Sequence, residues 1–518
     1  MDKKVSAYSC LTAIVFNAVW CLWLPSESWS LDVTQPIPDE RREVISLADV
    51  AMRALQSNLD ITISRQTKES RLADIVIEQA KFDTTLSLNG RYNRTVDPLE
   101  RPVLGATDSV LTEITKFDQR NHSLSVDAAT NLITGGNFDV NYSPARYRAN
   151  LADGFLFNPA WTGGLSFTVT QPLLKNAGIA INQTSIKIAQ NNAVVEQHIF
   201  RDRVLTVIAS VEQNYWELVF ANENVKVAQA ALKAAEELLT SNRAKAKAGV
   251  MSIVDVLQAE AAVASRVEQV LIAEKAIRDE EDELRHLLNP GEDNLREDLR
   301  LTPADAPVTV LRPLSLQAAI DTAIEQRPEI AQAKKNVESG ELNKQFARNQ
   351  LLPTLSFQGT MGLSGLGGDY SESLMRNFST NFYNYGAGLV LSYPLGNRAA
   401  LSTYNKRKLE AKNAEASLTS IRQRIIVNVR EAVRRVQTDF KRIETTQSAR
   451  ILAEKQLKTE QERLKVGLST TRFVLDFQHD LAIAQGNELR AIVDYNKSLS
   501  NLERHKATTL DRYHLELS

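Results

Sequence analysis

Residues Ser46-Leu47 through Gly90 align without a gap onto Ser315-Leu316 through Gly359, an offset of 269. That register closes on Thr85-Leu86-Ser87 and Gly90 against Thr354-Leu355-Ser356 and Gly359. A second block repeats at an offset of 218, with Gly249 against Gly467 and Val256-Leu257 against Val474-Leu475. The two blocks keep one order, so the chain reads as one unit written twice, the first copy being longer by 51 residues in its middle.

Each copy reads helix, strand, loop, strand, very long helix, break and shorter helix. In copy one, Leu47 to Phe82 is expected to be helical. Leu86, Leu88, Gly90 and Tyr92 then alternate with Ser87, Asn89, Arg91 and Asn93, the period of two that marks a strand with unlike faces. Leu165, Phe167 and Val169 alternate with Ser166, Thr168 and Thr170 in the return strand, which stops at Pro172. Copy two alternates Leu355, Phe357, Gly359 and Met361 with Ser356, Gln358 and Thr360, and returns through Ala387, Leu389, Leu391 and Tyr393 to Pro394. Proline lacks a donor but suits a first helical turn, so it sits well where strand hands over to helix. The inserted part of copy one holds another hairpin pattern, Leu124-Val126-Ala128 and Phe138-Val140-Tyr142 around Thr134-Gly135-Gly136. Pattern alone leaves open whether it adds wall strands or an external loop.

The long helices have a different period. Val204, Val211, Leu218, Val225, Leu232 and Leu239 recur every seven residues, with Ala221, Ala228 and Ala235 in the intermediate seam. Copy two carries Val429, Val436, Ile443, Arg450, Leu457 and Leu464, broken only by Arg450. A 3.5-residue repeat held this long means a supercoiled, packed seam. From Asn397 to Lys465 there is neither Pro nor Gly, which allows a rod of ~100 Å at 1.5 Å per residue. Low counts of both breakers, 21 Gly and 15 Pro in 518 residues, agree with long helices and argue against a turn-rich all-β chain. The connector between the copies is the segment with Pro290, Gly291, Pro303, Pro307 and Pro313.

The N-terminus is of another kind. Lys3 and Lys4 precede an apolar run from Leu11 to Leu24, followed by Pro25 and the small-residue pattern Ser28-Trp29-Ser30. That is a signal peptide pattern with cleavage expected before Leu31. The run is too short for the ~20 residues of a membrane-spanning anchor. Both cysteines, Cys10 and Cys21, lie in it, so the mature chain is expected to have no disulfide or thiol site, and Cys21 after Trp20 is a poor context for a lipid anchor. No other stretch approaches 18 apolar residues, which leaves a soluble exported protein or one entering a membrane as a β-barrel.

A formal charge of −2 gives no basic field for nucleic acid. His122, His198, His286, His479, His505 and His514 are scattered without a His-x-x-x-His pair, so no metal site is read from them. The run Gly362-Leu363-Ser364-Gly365-Leu366-Gly367-Gly368 lacks the lysine of a phosphate loop and the second glycine of a nucleophile elbow, and is expected at a hairpin end before a polar loop. Asp279-Glu280-Glu281-Asp282 is expected on a solvated helix face. No catalytic set and no cofactor signature emerges; the chain is not expected to be an enzyme.

The ordered set of elements, the Gln171-Pro172-Leu173-Leu174 junction and the Gly-x-x-x-x-Val-Asp-Val-Leu-Gln stretch from Gly249 to Gln258 resemble the TolC family of outer-membrane efflux and secretion channels, over essentially the whole mature chain. The resemblance implies a mainly α chain with a membrane β-barrel portion. It implies a homotrimer in which each protomer gives four strands to one 12-stranded barrel, above an α-barrel tunnel through the periplasm. An 18-stranded barrel follows instead if the extra hairpin joins the wall. Independently, two strands per copy cannot close a barrel with a lumen, so several chains must share one.

The divisions expected are a signal peptide at 1–30, a first repeat at 31–288 (strands about 84–172, long helices about 175–288), a connector at 289–314, a second repeat at 315–510 (strands about 353–394, long helices about 397–510) and a tail at 511–518. The function implied is a passive exit duct of a tripartite efflux or type I secretion system in the outer membrane. A periplasmic adaptor and an inner-membrane pump would open its periplasmic tip. The other reading is a soluble periplasmic coiled-coil scaffold, and cargo is not legible.

Related channels place rings of aspartate just beyond the tip turns. Asp255 matches in copy one and Asp476 in copy two, while Phe473 stands where an aspartate often occurs and Arg472 is a candidate latch to a neighbouring helix. The expected gate is therefore part acidic and part hydrophobic. Without that resemblance, an aspartate here is also an ordinary helix-start residue on the favourable end of the dipole.

Overall fold

The computed structural model describes residues 42–98, 116–150, 155–296 and 299–513; the expected signal peptide, both cysteines and His514 lie outside them. The chain opens with β1 (Arg42–Ile45), α1 (Leu47–Ser57) and α2 (Leu59–Gln79). Strands β2 (Thr85–Pro98), β3 (Lys116–Asn131), β4 (Asn137–Tyr142), β5 (Ala145–Ala149) and β6 (Ala160–Pro172) follow. A single turn, α3 (Ile179–Asn182), leads into α4 (Thr184–Lys247) and α5 (Ile253–Leu288); the connector holds α6 (Glu292–Leu295) and β7 (Arg300–Pro303). The second half runs α7 (Leu316–Gln326), α8 (Pro328–Asn349), β8 (Thr354–Gly367), α9 (Tyr370–Phe378), β9 (Tyr383–Ser392), α10 (Arg398–Lys465), α11 (Thr471–Lys506) and α12 (Thr509–Arg512).

The two halves agree at the level of individual caps. Ser46 and Ser315, 269 apart, each cap a helix with the side-chain oxygen, on the N–H groups of Asp49 and Ala318. α5 and α11 each have 36 residues and end on left-handed residues 218 apart, Asn289 and Ala507. The single helix expected over Leu47–Phe82 is interrupted at Asn58, whose extended backbone (ψ 130°) separates α1 from α2. Its side chain caps Ile61 and its amide donates to Leu287 O at 2.8 Å. Arg327, 269 residues on, breaks α7 from α8 in the same way, with Pro328 at the first helical position.

Core packing follows the seven-residue seam. Val204, Val211 and Leu218 of α4 are fully buried, together with Ile45 and Val50 of the N-terminal segment and Leu284 of α5. Val429 and Val436 of α10 do the same with Ile330 and Tyr495. Toward the far ends the seam opens, and Leu232, Leu239 and Leu464 are half-buried. Where Arg450 interrupts it, the guanidinium reaches Glu488 of α11 at 2.5 Å, so the break is an interhelical ion pair. One acidic residue expected in solvent is not there: Glu281 is buried and accepts the Leu301 N–H at 3.0 Å, because the connector strand β7 lies over α5 and needs a partner for its backbone.

The sheet has more strands than expected. Hydrogen-bonded order is β2-β3-β4-β6-β8-β9, with β5 continuing beside β4 between β3 and β6. The four expected strands are β2, β6, β8 and β9; the hairpin whose place was open stands between the first two and makes the sheet six strands wide. The physical reason is register. Leu88, Val126, Tyr142, Leu165, Leu363 and Tyr383 are opposite one another in turn across all the pairings, so the insert continues both faces of the sheet. The glycine run lies at a hairpin end, as expected, where β8 turns toward β9. Gly362–Gly367 lie within β8, and a helix follows in place of the polar loop. A Cβ at Gly365 would stand 2.0 Å from Ser373 O, and one at Gly367 2.6 Å from Ser373 N, so the missing side chains admit α9.

Candidate functional site

Two regions carry chemistry: the faces of the sheet and the turns at the far end of the rods. One face of the sheet presents Leu86, Leu88, Val126, Val140, Phe138, Phe167, Val169, Met361, Phe357, Leu389 and Leu391, and the other Ser87, Asn89, Asp127, Asn141, Ser166, Thr168, Thr360 and Gln358. In the single chain the apolar side chains of the outer strands are open to solvent, with Leu86 at 74% exposure and Leu391 at 68%, while Val126, Phe138, Val140, Phe167 and Val169 between them are half-buried. Among the described residues both outer strands, β2 and β9, keep one edge without a partner. Unpaired strand edges call for another strand, and an apolar face opposite a polar one is the pattern of a membrane barrel wall. Among the described residues no helix is long and apolar enough to cross a membrane.

At the other end, α4 stops where Gly249 takes φ +75° and α10 where Gly467 takes φ +78°. In each, a residue just past the helix donates back to its last turn: Val250 N to Lys245 O at 3.0 Å, and Leu468 N to Arg463 O at 2.8 Å. Lys245, Lys247, Arg463 and Lys465 occupy the last turns, where the C-terminal dipole favours cations.

Asp255 is half-buried in the first turn of α5, which Ser252 caps on Val254 N. It lines a cleft between the two turns with Lys245, Lys465 and Thr471. Phe473, the residue at the matching position of α11, is 54% exposed, whereas its neighbours Thr471 and Val474 are buried. Arg472 meets Asp476 of its own helix, Nε to Oδ2 at 3.9 Å, both side chains largely in solvent. In the single chain, then, Arg472 has its carboxylate one turn away on α11. Asp255 faces the cleft, while Phe473, Arg472 and Asp476 lie outside it.

One residue here escaped the sequence reading. Asn242 is fully buried and its amide donates to Thr471 Oγ1 at 3.0 Å and to Asp255 O at 3.4 Å, tying α4 to both shorter helices. Its signal was present: it takes the next place in the series Ala221, Ala228, Ala235, and an asparagine in such a seam fixes register. Among the described residues no group of three or more His, Cys, Asp or Glu side chains is placed to hold a metal ion.

The family model described as outer membrane efflux protein matches residues 161–290 and 319–505. A pyoverdine export outer membrane protein, OpmQ of Pseudomonas putida, is 26% identical over 307 residues, which are 57% of this chain and 62% of that protein. The chain thus spans about three fifths of that curated relative's length. In fold it is similar to the CmeC outer membrane channel of Campylobacter jejuni, with a TM-score of 0.64 at 16% identity over 89% of this chain and 86% of that one. VceC of Vibrio cholerae gives a TM-score of 0.63 at 16% identity over 89% and 96%.

Proposed function

Because this chain belongs to the outer membrane efflux protein family, we propose that it is the outer-membrane exit duct of a tripartite efflux or type I secretion system. It works as a homotrimer that carries cargo passively across the outer membrane and periplasm. The observation that carries this reading is the sheet: apolar on one face, polar on the other, with one edge of each outer strand free among the described residues. Three such sheets, joined β9 to β2, make one closed wall shared by three chains. The helical rods, at 64 and 68 residues, extend ~100 Å from it. The polar face lines a water-filled lumen suited to hydrated cargo, and a pyoverdine-type siderophore is the first to test, since curated relatives are named for its export.

At the tip, Asp255 and Asp476 form acidic rings under three-fold symmetry, Phe473 an apolar constriction, and Arg472 a latch. A periplasmic adaptor and an inner-membrane pump dock there and open it. Extraction and reconstitution test the reading. The protein is expected to need detergent for release, to run as a trimer and to form ion-conducting pores in a planar bilayer. Recovery as a soluble monomer without detergent overturns it.

A further inference from the structure

Resting on that reading of the sheet as membrane wall, we propose that the distal rim of its apolar face is a binding site for the phosphorylated headgroup of an outer-leaflet lipid. Arg94 of β2 is directly opposite Arg120 of β3, and Arg120 is directly opposite Arg148 of β5, so three guanidinium groups stand abreast on one face. That face is the apolar one, since Leu88 and Leu124 share its alternation. Like charges directly opposite across strands are unfavourable, and three in a row ask for an anion. Asp118 supplies part of it. Arg94 donates Nε to Oδ1 at 2.9 Å and Nη2 to Oδ2 at 2.7 Å, and Arg120 Nη2 lies 3.5 Å from the same carboxylate. Among the described residues no carboxylate pairs with Arg148 or with Arg146, leaving this rim cationic.

Its height in the wall fits a phosphate. One face position nearer the membrane, about 7 Å along the strands, come Tyr92, His122, Arg146 and Trp161, paired across the sheet. Tyr92 and His122 have ring centroids 4.7 Å apart, and Arg146 lies over Trp161 at 5.8 Å. Aromatic side chains of this kind mark the headgroup boundary, with the apolar band below and the arginines just above. Arginine forks match phosphate oxygens two at a time, which a lysine does not do.

The helix beside this rim points the same way, independently of charge. α9 turns its polar residues inward, Ser373 at 2% and Asn377 at 1% exposure, onto the glycine floor of Gly163, Gly365 and Gly367. Two of its apolar residues face outward, Met375 at 69% and Phe378 at 61% exposure, while Leu374 is half-buried. A helix in water has the opposite arrangement; outward apolar side chains beside a basic row suit a lipid's acyl chains under its phosphates.

The test compares full-length wild type with Arg94→Gln/Arg120→Gln/Arg148→Gln in nanodiscs of phosphatidylcholine with and without bisphosphorylated lipid A. Wild type is expected to retain lipid A at least ~10-fold more tightly than the triple variant. Inorganic pyrophosphate is expected to give no saturable binding, which distinguishes a lipid site from a free-phosphate site. Both proteins are expected to insert and conduct in pure phosphatidylcholine, so failure of the site and failure of the wall are separable. Equal lipid A retention, or pyrophosphate binding as tight as lipid A, overturns the proposal. If the triple variant does not fold, Arg148→Gln alone decides against Arg91→Gln on the polar face: weaker lipid A retention is expected only from the former, and an equal loss from both overturns the site.

Discussion

Arg490 of α11 grips Glu217 of α4 with two parallel hydrogen bonds, Nη1 to Oε2 at 2.6 Å and Nη2 to Oε1 at 3.0 Å, and so joins the two repeats in mid-rod. Lys497 adds a third bond to the same carboxylate, and Arg490 also holds Asp494 at 3.0 Å and covers Phe220.

This cluster makes the joint acid-sensitive. Burial raises the Glu217 carboxyl, but the bonds from Arg490 and Lys497 outweigh it and leave the group below its usual range. A lowered folded value means stability that is present above the ordinary glutamate value of 4.5 and is lost as pH falls through the folded value. Thermal unfolding in detergent is expected to occur at lower temperature as pH drops below about 4.5, with a shallower fall for Glu217→Gln. Arg490→Met is expected to cost about 1.5–3 kcal/mol, as for a lost charged hydrogen-bond pair.

His505 titrates in a higher window. Burial first, then the cations of Arg327 and Arg504, push its imidazole down to about 4. Between its ordinary value of 6.5 and about 4, the unfolded chain binds a proton that the folded chain refuses, so stability falls as pH falls across that range. His505→Asn is expected to flatten the melting temperature between those two limits; an unchanged slope rules out His505 as the source.

The tip turns isolate a backbone effect. A Cβ at Gly249 or Gly467 meets nothing within 4 Å, so Gly→Ala there is opposed only by the left-handed conformation at φ +75° and +78°. Each substitution is expected to cost about 1–2 kcal/mol. Hydrogen exchange is expected to quicken at 248–252 or 466–470 rather than in the rods.

Phe473 and Asp255 occupy equivalent first-turn positions, one apolar and one charged, which separates the two parts of the proposed gate. Phe473→Ala is expected to raise resting conductance in a planar bilayer. Asp255→Ala with Asp476→Ala is expected to weaken block by divalent cations. Wild-type conductance in the first case, or wild-type block in the second, removes that residue class from the constriction.

Arg450 shows where local pattern reaches its limit. Its place in the seam was plain from the spacing of Val436, Ile443 and Leu457, yet the Glu488 that neutralises it is 38 residues away on the next helix. Asn58 is similar: Pro328 marks the second repeat's break in the sequence, but the first repeat has only an asparagine, and its carbonyl partner Leu287 is on another helix.

Duplication, heptad spacing and the period of two in the strands were set by the sequence alone. Each acts through neighbours within a few residues, by backbone preference or by the side of an element that must be buried. Tertiary structure decided the rest: that β3, β4 and β5 join the sheet, that the glycine run seats a helix, that Glu281 is buried, and that Arg94, Arg120 and Arg148 stand abreast. Those outcomes depend on which strands pair and in what register, a choice made by side chains distant in the chain and close only after folding.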